Sequence, residues 1–469
     1  MTSFNITDNM RAMSDPALDN CTGPILYDDS SVQQTLIMYM PMQGMQVYGS
    51  AGPSCYNAIS DLKFMFQGDI GSRVRFDKSY IKMDYMACDI SVPSPYTTID
   101  LTNCSIPWNP IAATLQNVYY QLNGTNQTVE RYDSNFQHGN MIKLLSSYTR
   151  QALEEATDRF FTPCIESTRD VVTGLSLESS YRAKAAFQRD ISGTINLGSK
   201  IIMLSDIFDS LKVETACFAQ LFQLYMTLKA PDQILFHTPS VTGIPRFYVT
   251  GLRLYVAQDK LSSRQLDIET KKTMDNVPMV RNGYRRFDVF TDSHVSSKSY
   301  ITTGIKNLQA SVLMFSSVTA GDGVGINPYQ YCYCSSLTPN TGITHYRHRY
   351  GSIVYPLSGQ NVDPINKSRN TDVYTIWRAL CRLINDKTFS SAVPFTPCMG
   401  VNGALYDVST YTFFPAIFCN QDTAPMKLAS GGDHEIIVNG GHTGATGIIV
   451  RIRLNSYAIY GDSTVTIMD

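Results

Sequence analysis

From Ser79 to Cys88 the chain reads SYIKMDYMAC, with Ile81, Met83, Tyr85 and Ala87 on one side of a two-residue period and Lys82 and Asp84 on the other. That period sends alternate side chains to opposite faces, so the segment predicts a strand with one face in a core. Such a strand needs partners at its edges and a second layer over its apolar face. The rest of the chain offers them. NVYYQLNG ends in Asn123-Gly124, a pair that supplies the positive φ angles of a tight hairpin turn. PRFYVTGLRLYVA, from Pro245 to Ala257, reads as a further strand. FQLYMTLKA is compatible with helix or strand, and the alternation of Phe222, Leu224, Met226 and Leu228 favours strand. YRRFDVFTDS, NLQASVLMFSS, TYTFFPAIFCN, EIIVNGG and GIIVRIRLNSYAIYG extend the same pattern towards the C-terminus.

Helices interrupt this pattern at few places. After the Asn-Gly hairpin, Met141, Leu145, Tyr148, Ala152, Ala156 and Phe160 recur at three- and four-residue steps, with Lys143, Arg150, Glu154 and Asp158 facing away. This predicts an amphipathic surface helix. LSDIFDSL predicts a short helix capped by the Ser205 hydroxyl. VYTIWRALCRLIN predicts another helix, with Val373, Ile376, Trp377, Leu380, Leu383 and Ile384 on its apolar face. The polar stretch QDKLSSRQLDIETKKTMDN divides the chain near its middle, and beyond it the order of elements starts again. Each half has strands, one principal helix and a closing strand, LRLYV at Leu252 and IRLNS at Ile452. The duplication lies in the order of elements rather than in identity, and it predicts two similar β units in tandem. The expected organisation is an arm over 1–32, a first domain over 33–262 and a second over 263–469.

With 469 residues, 43% of them apolar, the chain is too long for one core. A net charge of -2, with no block of like charges, excludes a direct electrostatic grip on nucleic acid as its main task. The N-terminus lacks the basic and apolar regions of a secretory signal, and no run of about 20 apolar residues predicts a membrane span. Eleven Cys, most in apolar runs such as those around Cys88 and Cys217, predict buried reduced thiols. Sequons at Asn103, Asn123 and Asn366 then carry little weight.

No constellation of residues demands catalysis. HYRHRYG places His345 and His348 three apart beside Arg347 and Arg349, without a third metal ligand, and predicts an Arg/Tyr-rich contact loop or surface. In GGDHEIIVNGGH a strand separates Asp433, His434 and Glu435 from His442, so no shared site is expected. Cys332 and Cys334 lack a second pair for zinc, and GDGVG lacks the Lys of a phosphate loop. VRNGYRRF, with Arg281, Tyr284, Arg285, Arg286 and Phe287, predicts a solvated strand edge or a subunit contact ahead of a nucleic-acid surface. Glu154, Glu155, Asp206 and Asp209 sit on ordinary helical periods. No catalytic, cofactor-binding or metal-binding residue is expected.

Several segments, in order from about Arg73 to Ser262, resemble one known family. SRVRFDKSYIKMDYMACDIS, PWNPIAATLQNVYYQLNG with its following helix NMIKLLSSYTRQALEEA, GSKIIMLSDIFDSL and FYVTGLRLYVAQDKLS are similar to the major capsid proteins of Polinton-like viruses, adintoviruses and virophages. The resemblance implies a mainly β double jelly roll, two tandem jelly-roll β-sandwich domains with a few inserted helices. It also implies homotrimeric, pseudo-hexameric capsomers in an icosahedral shell of a small double-stranded DNA virus. The implied partners are further copies of the chain, neighbouring capsomers, and vertex (penton) and minor capsid proteins. Genome DNA is touched at most indirectly, and an internal membrane stays open. The implied location is the virion, assembled inside the host cell. Rival readings are a minor or vertex capsid protein, and a carbohydrate-binding or carbohydrate-active β-sandwich, which would show an aromatic platform with acids about 5–10 Å apart.

Overall fold

The computed structural model describes residues 31–148, 156–161, 195–316, 343–361, 371–385, 398–399, 405–406, 416–419, 432–440, 446–459 and 465–468, with shorter breaks inside the longer ranges. Eight strands build a first sandwich: β1 (Ser31–Tyr39), β2 (Leu62–Gln67), β3 (Ser72–Asp89), β4 (Leu115–Leu122), β5 (Thr128–Tyr132), β6 (Asn196–Met203), β7 (Leu221–Leu228) and β8 (Pro245–Leu261). One sheet has the order β1-β8-β3-β6 and the other β2-β7-β4-β5, with antiparallel pairing throughout. First pairs with eighth, second with seventh, third with sixth and fourth with fifth. That is one long hairpin wrapped into two layers, a jelly roll.

The second sandwich repeats it: β9 (Val280–Ser293), β10 (Ser297–Ile305), β11 (Leu308–Ser316), β12 (Ile343–Tyr350), β13 (Ile353–Asn361), β14 (Ala416–Cys419), β15 (Gly432–Gly440) and β16 (Thr446–Ile459). Its sheets are β9-β16-β11-β14 and β10-β15-β12-β13, the same order strand for strand, and β17 (Val465–Met468) adds to β16. The chain is therefore a double jelly roll. LRLYV and IRLNS lie in the eighth strand of their respective sandwiches, as the duplicated order predicted.

The alternation in β3 is realised: Ile81, Met83, Tyr85 and Ala87 are buried, and Lys82 and Asp84 lie on the other face. The register between β3 and β8 slips between Tyr255 and Ala257. There Ser79 Oγ takes up the Ala257 N–H at 3.0 Å and donates to the Arg75 carbonyl at 2.7 Å, so the hydroxyl satisfies both backbone groups at the bulge. FQLYMTLKA is strand β7.

Among the described residues five α-helices join the strands: α1 (Pro110–Thr114), α2 (Phe136–Ser147), α3 (Leu204–Ile207), α4 (Ser263–Met274) and α5 (Thr371–Asn385). Helices α2 and α5 both lie between the fifth and sixth strands of their sandwiches, and they pack on each other. Helix α2 also packs on β4, β9 and β16. One core cluster runs from Phe64, Tyr85 and Leu224 in the first sandwich through Ile142 to Trp377, Val312 and Ile452.

Three expectations about helices need correction. Helix α2 ends at Ser147 instead of running on through Ala156 to Phe160, and none of its described side chains is exposed. Gln137, His138, Asn140, Lys143 and Ser146 are all buried, because the second sandwich covers the side that the first leaves open. Phe160 still reaches the core, from a turn, edge-on to Tyr148 at 6.4 Å. Arg150, Ala152, Glu154 and Glu155 lie outside the described residues. Ser205 does not cap α3, since the helix starts at Leu204, directly out of β6, with Met203 at the cap position and no side-chain cap. The polar mid-chain divider contains α4, whose Gln265 N–H is capped by Ser262 Oγ at 3.3 Å.

Candidate assembly surfaces and the junction between sandwiches

Where the sandwiches meet, a buried polar network sits within the apolar packing. The Glu130 carboxylate on β5 accepts from the N–H groups of Asp209 (3.2 Å) and Ser210 (3.0 Å), from Ser210 Oγ (2.5 Å) and from the Tyr132 hydroxyl. It thus holds the 3-10 turn Asp209–Lys212 that follows α3. Burial raises the Glu130 pKa, opposed by the Ser210 and Tyr132 hydrogen bonds. Burial acts the same way on Asp209, but Lys143, Lys212 and the Arg285 N–H outweigh it and hold that carboxyl below its usual range. The distances are 3.6 Å to Lys143 Nζ, 2.6 Å to Lys212 Nζ and 2.7 Å from Arg285 N.

Three of these hydrogen bonds come from the second sandwich. Besides Arg285 N, Tyr284 OH donates to the Val129 carbonyl at 3.1 Å and Tyr457 OH to the Ser210 carbonyl at 3.0 Å. Lys143 Nζ also donates to the carbonyls of Ser205 and Asp206. Hydrogen bonds are directional, so this set fixes the angle between the sandwiches, which apolar contact alone would leave softer. VRNGYRRF is therefore not a solvated edge. Tyr284 and Phe287 are buried against the first sandwich, and Arg286 pairs with Asp288 at 2.8 Å.

The outer faces carry cross-strand rows. On the sheet β2-β7-β4-β5, Lys63, Tyr225, Tyr119 and Arg131 stand in one register row. The two Tyr rings stack at 4.8 Å and 9°, with Lys63 Nζ 5.0 Å from one ring and the Arg131 guanidinium 5.5 Å from the other. Those ring faces are already covered, so the row is not a platform for a sugar ring. On the sheet β1-β8-β3-β6, Met38, Tyr255, Tyr80 and Met203 form a second row, with the Tyr rings stacked at 4.9 Å. Leu36, Met38, Met40 and Met42 continue it as an exposed apolar strip along β1 and the turn beyond. Clustered, flexible apolar side chains of this kind mark interaction surfaces. On the second sandwich, Ile301, Ile353 and Leu357 are exposed beside the Arg349–Glu435 ion pair at 2.8 Å.

HYRHRYG is strand β12, not a loop, and the strand splits its residues. His345, Arg347 and Arg349 face outwards, whereas Tyr346, His348 and Tyr350 face the core. His348 does not meet His345 but His434 of β15, at 3.4 Å between Nδ1 and Nε2. Asp433 is exposed. Among the described residues no three His, Cys, Asp or Glu side chains gather closely enough to hold a metal. Cys55, Cys88 and Cys381 are buried thiols. Among the described residues no helix is long and apolar enough to cross a membrane. Cys217, Cys332, Cys334, His442, GDGVG, the Asn123-Gly124 turn and the sequons at Asn103 and Asn366 lie outside the described residues.

No protein-family model matches the chain, and no curated protein matches its sequence. Among solved structures, it is similar to a chain of the Sputnik virophage, with TM-score 0.54 and 11% identity over 100% of this chain and 94% of that one. A chain of the PBCV-1 virus capsid aligns with TM-score 0.49 and 7% identity, covering 95% of this chain and 98% of that one. The mavirus major capsid protein aligns with TM-score 0.46 and 11% identity, covering 100% and 95%. The likeness to the Sputnik chain shows a shared fold over the full length of both.

Proposed function

We propose that the chain is a structural major capsid protein of a small icosahedral double-stranded DNA virus, virophage or related element, and that it acts by self-assembly. The observation that carries this reading is the repeated eight-strand order, two jelly rolls joined through one core in a chain that shares its fold with a virophage chain throughout. A trimer of such subunits sets six similar sandwiches around an axis, and so fills sixfold-like positions with threefold symmetry. The residues 33–262 and 263–469 would be the two domains and 1–32 an arm reaching a neighbour. Obligate contacts of this sort bury more than about 2,000 Å² and are apolar, which suits the Met/Tyr row and strip on the first sandwich. Vertex and minor capsid proteins would be partners within the virion, and no catalytic step is assigned.

Native mass and negative-stain images of the purified full-length chain test the proposal. A trimer with a hexagonal or six-lobed outline is expected, and Met38→Asp should reduce it to folded monomer. A wild-type chain that stays monomeric at micromolar concentration would overturn the reading.

A further inference from the structure

The interior of the second sandwich is not uniformly apolar. Ser311 on β11, His348 on β12, His434 on β15 and Arg451 on β16 meet between its two sheets, all buried. Arg451 Nε donates to His434 Nδ1 at 2.8 Å, which places the proton of that ring on Nε2. His434 Nε2 lies 3.2 Å from Ser311 Oγ and 3.4 Å from His348 Nδ1, and Ser311 Oγ lies 3.1 Å from His348 Nδ1. Burial and the neighbouring Arg451 keep both rings neutral. The cluster therefore contains one cation and no carboxylate.

Arg451 Nη1 and Nη2 are buried and meet no hydrogen-bond acceptor among the described residues. The Phe290 ring covers one face of the guanidinium at 4.8 Å, so an acceptor has to approach edge-on, in the plane of the N–H bonds. Asp288, the neighbouring carboxylate, is already engaged by Arg286 at 2.8 Å and Arg453 at 2.5 Å. Three guanidinium groups around one carboxylate leave this region with an excess of positive charge, and Arg451 is the one fully shut off from water. Burial pulls its pKa down to about 10, so it is still charged at neutral pH. A buried charge with unmet donors is strongly unfavourable unless a counter-charge accompanies it.

We propose that Arg451 binds a small monovalent anion of the chloride class through Nη1 and Nη2, inside the second sandwich. A single charge matches the one cation of the buried cluster, and a larger or doubly charged anion would add its own desolvation cost in a closed interior. Charge-assisted N–H donors of a guanidinium are well suited to it. The site is independent of the capsid reading and would operate in any oligomeric state.

The test uses the full-length chain at pH 7.5 and constant ionic strength, with sodium chloride replaced stepwise by sodium gluconate. Chloride should raise the melting temperature saturably, by about 2–4 °C or more for a unit of this size. Arg451→Met should abolish that dependence. Should this variant not fold, wild-type crystals grown in sodium bromide decide the matter, with an anomalous peak expected within hydrogen-bonding distance of the Arg451 guanidinium. Equal melting in chloride and gluconate, chloride stabilisation that survives in Arg451→Met, or no bromide peak at Arg451 would each overturn the proposal.

Discussion

Consider acidification of the purified chain from pH 7 to pH 5. His138 in α2 and His348 in β12 are pushed down to about 3, burial being the largest cause in each, helped by Lys229 and Arg451 respectively. His434 is driven well below its ordinary range by burial, then by His348 and Arg451. An unfolded histidine titrates near ~6.5, so below that pH the unfolded chain binds protons that the folded chain refuses. The stability these groups permit is fully present above ~6.5 and drains away as the pH falls towards the folded values. At pH 5 the solution stands about 1.5 units below the unfolded value, a loss of ~2 kcal/mol for each of His138 and His348 and ~4 kcal/mol for the two, with His434 acting in the same direction. Asp209, held low, adds a loss only at more acid pH, and Glu130, held high, offsets part of it. A loss of ~4 kcal/mol is a large share of the whole stability of many domains, about 5–15 kcal/mol. Urea unfolding of the unassembled subunit at pH 7, 6 and 5 measures it, with the midpoint falling steeply below pH 6.5. The double variant His348→Gln/His434→Gln should lose a large part of that pH dependence. A wild-type midpoint unchanged between pH 7 and 5, or a double variant as acid-sensitive as wild type, would refute the reasoning.

Asp209→Asn removes the buried counter-charge of Lys143 and should cost ~3–5 kcal/mol, read as a lower urea midpoint at pH 7. In the same variant, cross-linking or small-angle scattering should report a wider spread of angles between the sandwiches. Gly139 in α2 faces β9 so closely that an added Cβ would lie 3.2 Å from Phe287 Cβ and 3.3 Å from Val289 Cγ2. Gly139→Val should therefore destabilise by ~1–3 kcal/mol through overpacking, and a melting temperature equal to wild type would contradict the tight approach.

Strands were legible wherever one face is buried and the other wet, because a period of two is a local property of the chain. SYIKMDYMAC and FQLYMTLKA needed no knowledge of their partners. Helix α2 was legible as a helix but not as a buried one. Gln137, His138, Asn140 and Lys143 are polar, and a sequence shows polarity without showing that a second sandwich will cover it. One signal was available: Gly139 is the fourth residue of the helix, and glycine inside a helix costs ~1 kcal/mol relative to alanine and so points to a close backbone approach. The cap of α4 was also visible, since Ser262 precedes Gln265 by the spacing of a capping box. The pairing of His348 with His434 could not be read, because it depends on the register of β12 on β15 across 86 residues. Spacing along the chain suggested His345 instead, but in a strand residues three apart face opposite sides.

The junction explains why the protein buries polar groups at all. Replacing Glu130, Asp209 and Lys143 by apolar residues of similar volume would remove their desolvation costs, and such exchanges are often neutral or stabilising. What they would lose is direction. Arg285 N, Tyr284 OH and Tyr457 OH reach acceptors on the first sandwich at 2.7, 3.1 and 3.0 Å, and each bond weakens steeply when its angle departs from linear. The apolar part of the interface, α2 and α5 against Phe287, Val312 and Ile452, supplies attraction that tolerates sliding. On the capsid reading, an error in the angle between sandwiches would propagate to each neighbour around a capsomer and then across the shell. A polar lock inside an apolar seam exchanges some stability for a single geometry, and a repeating lattice needs the geometry more.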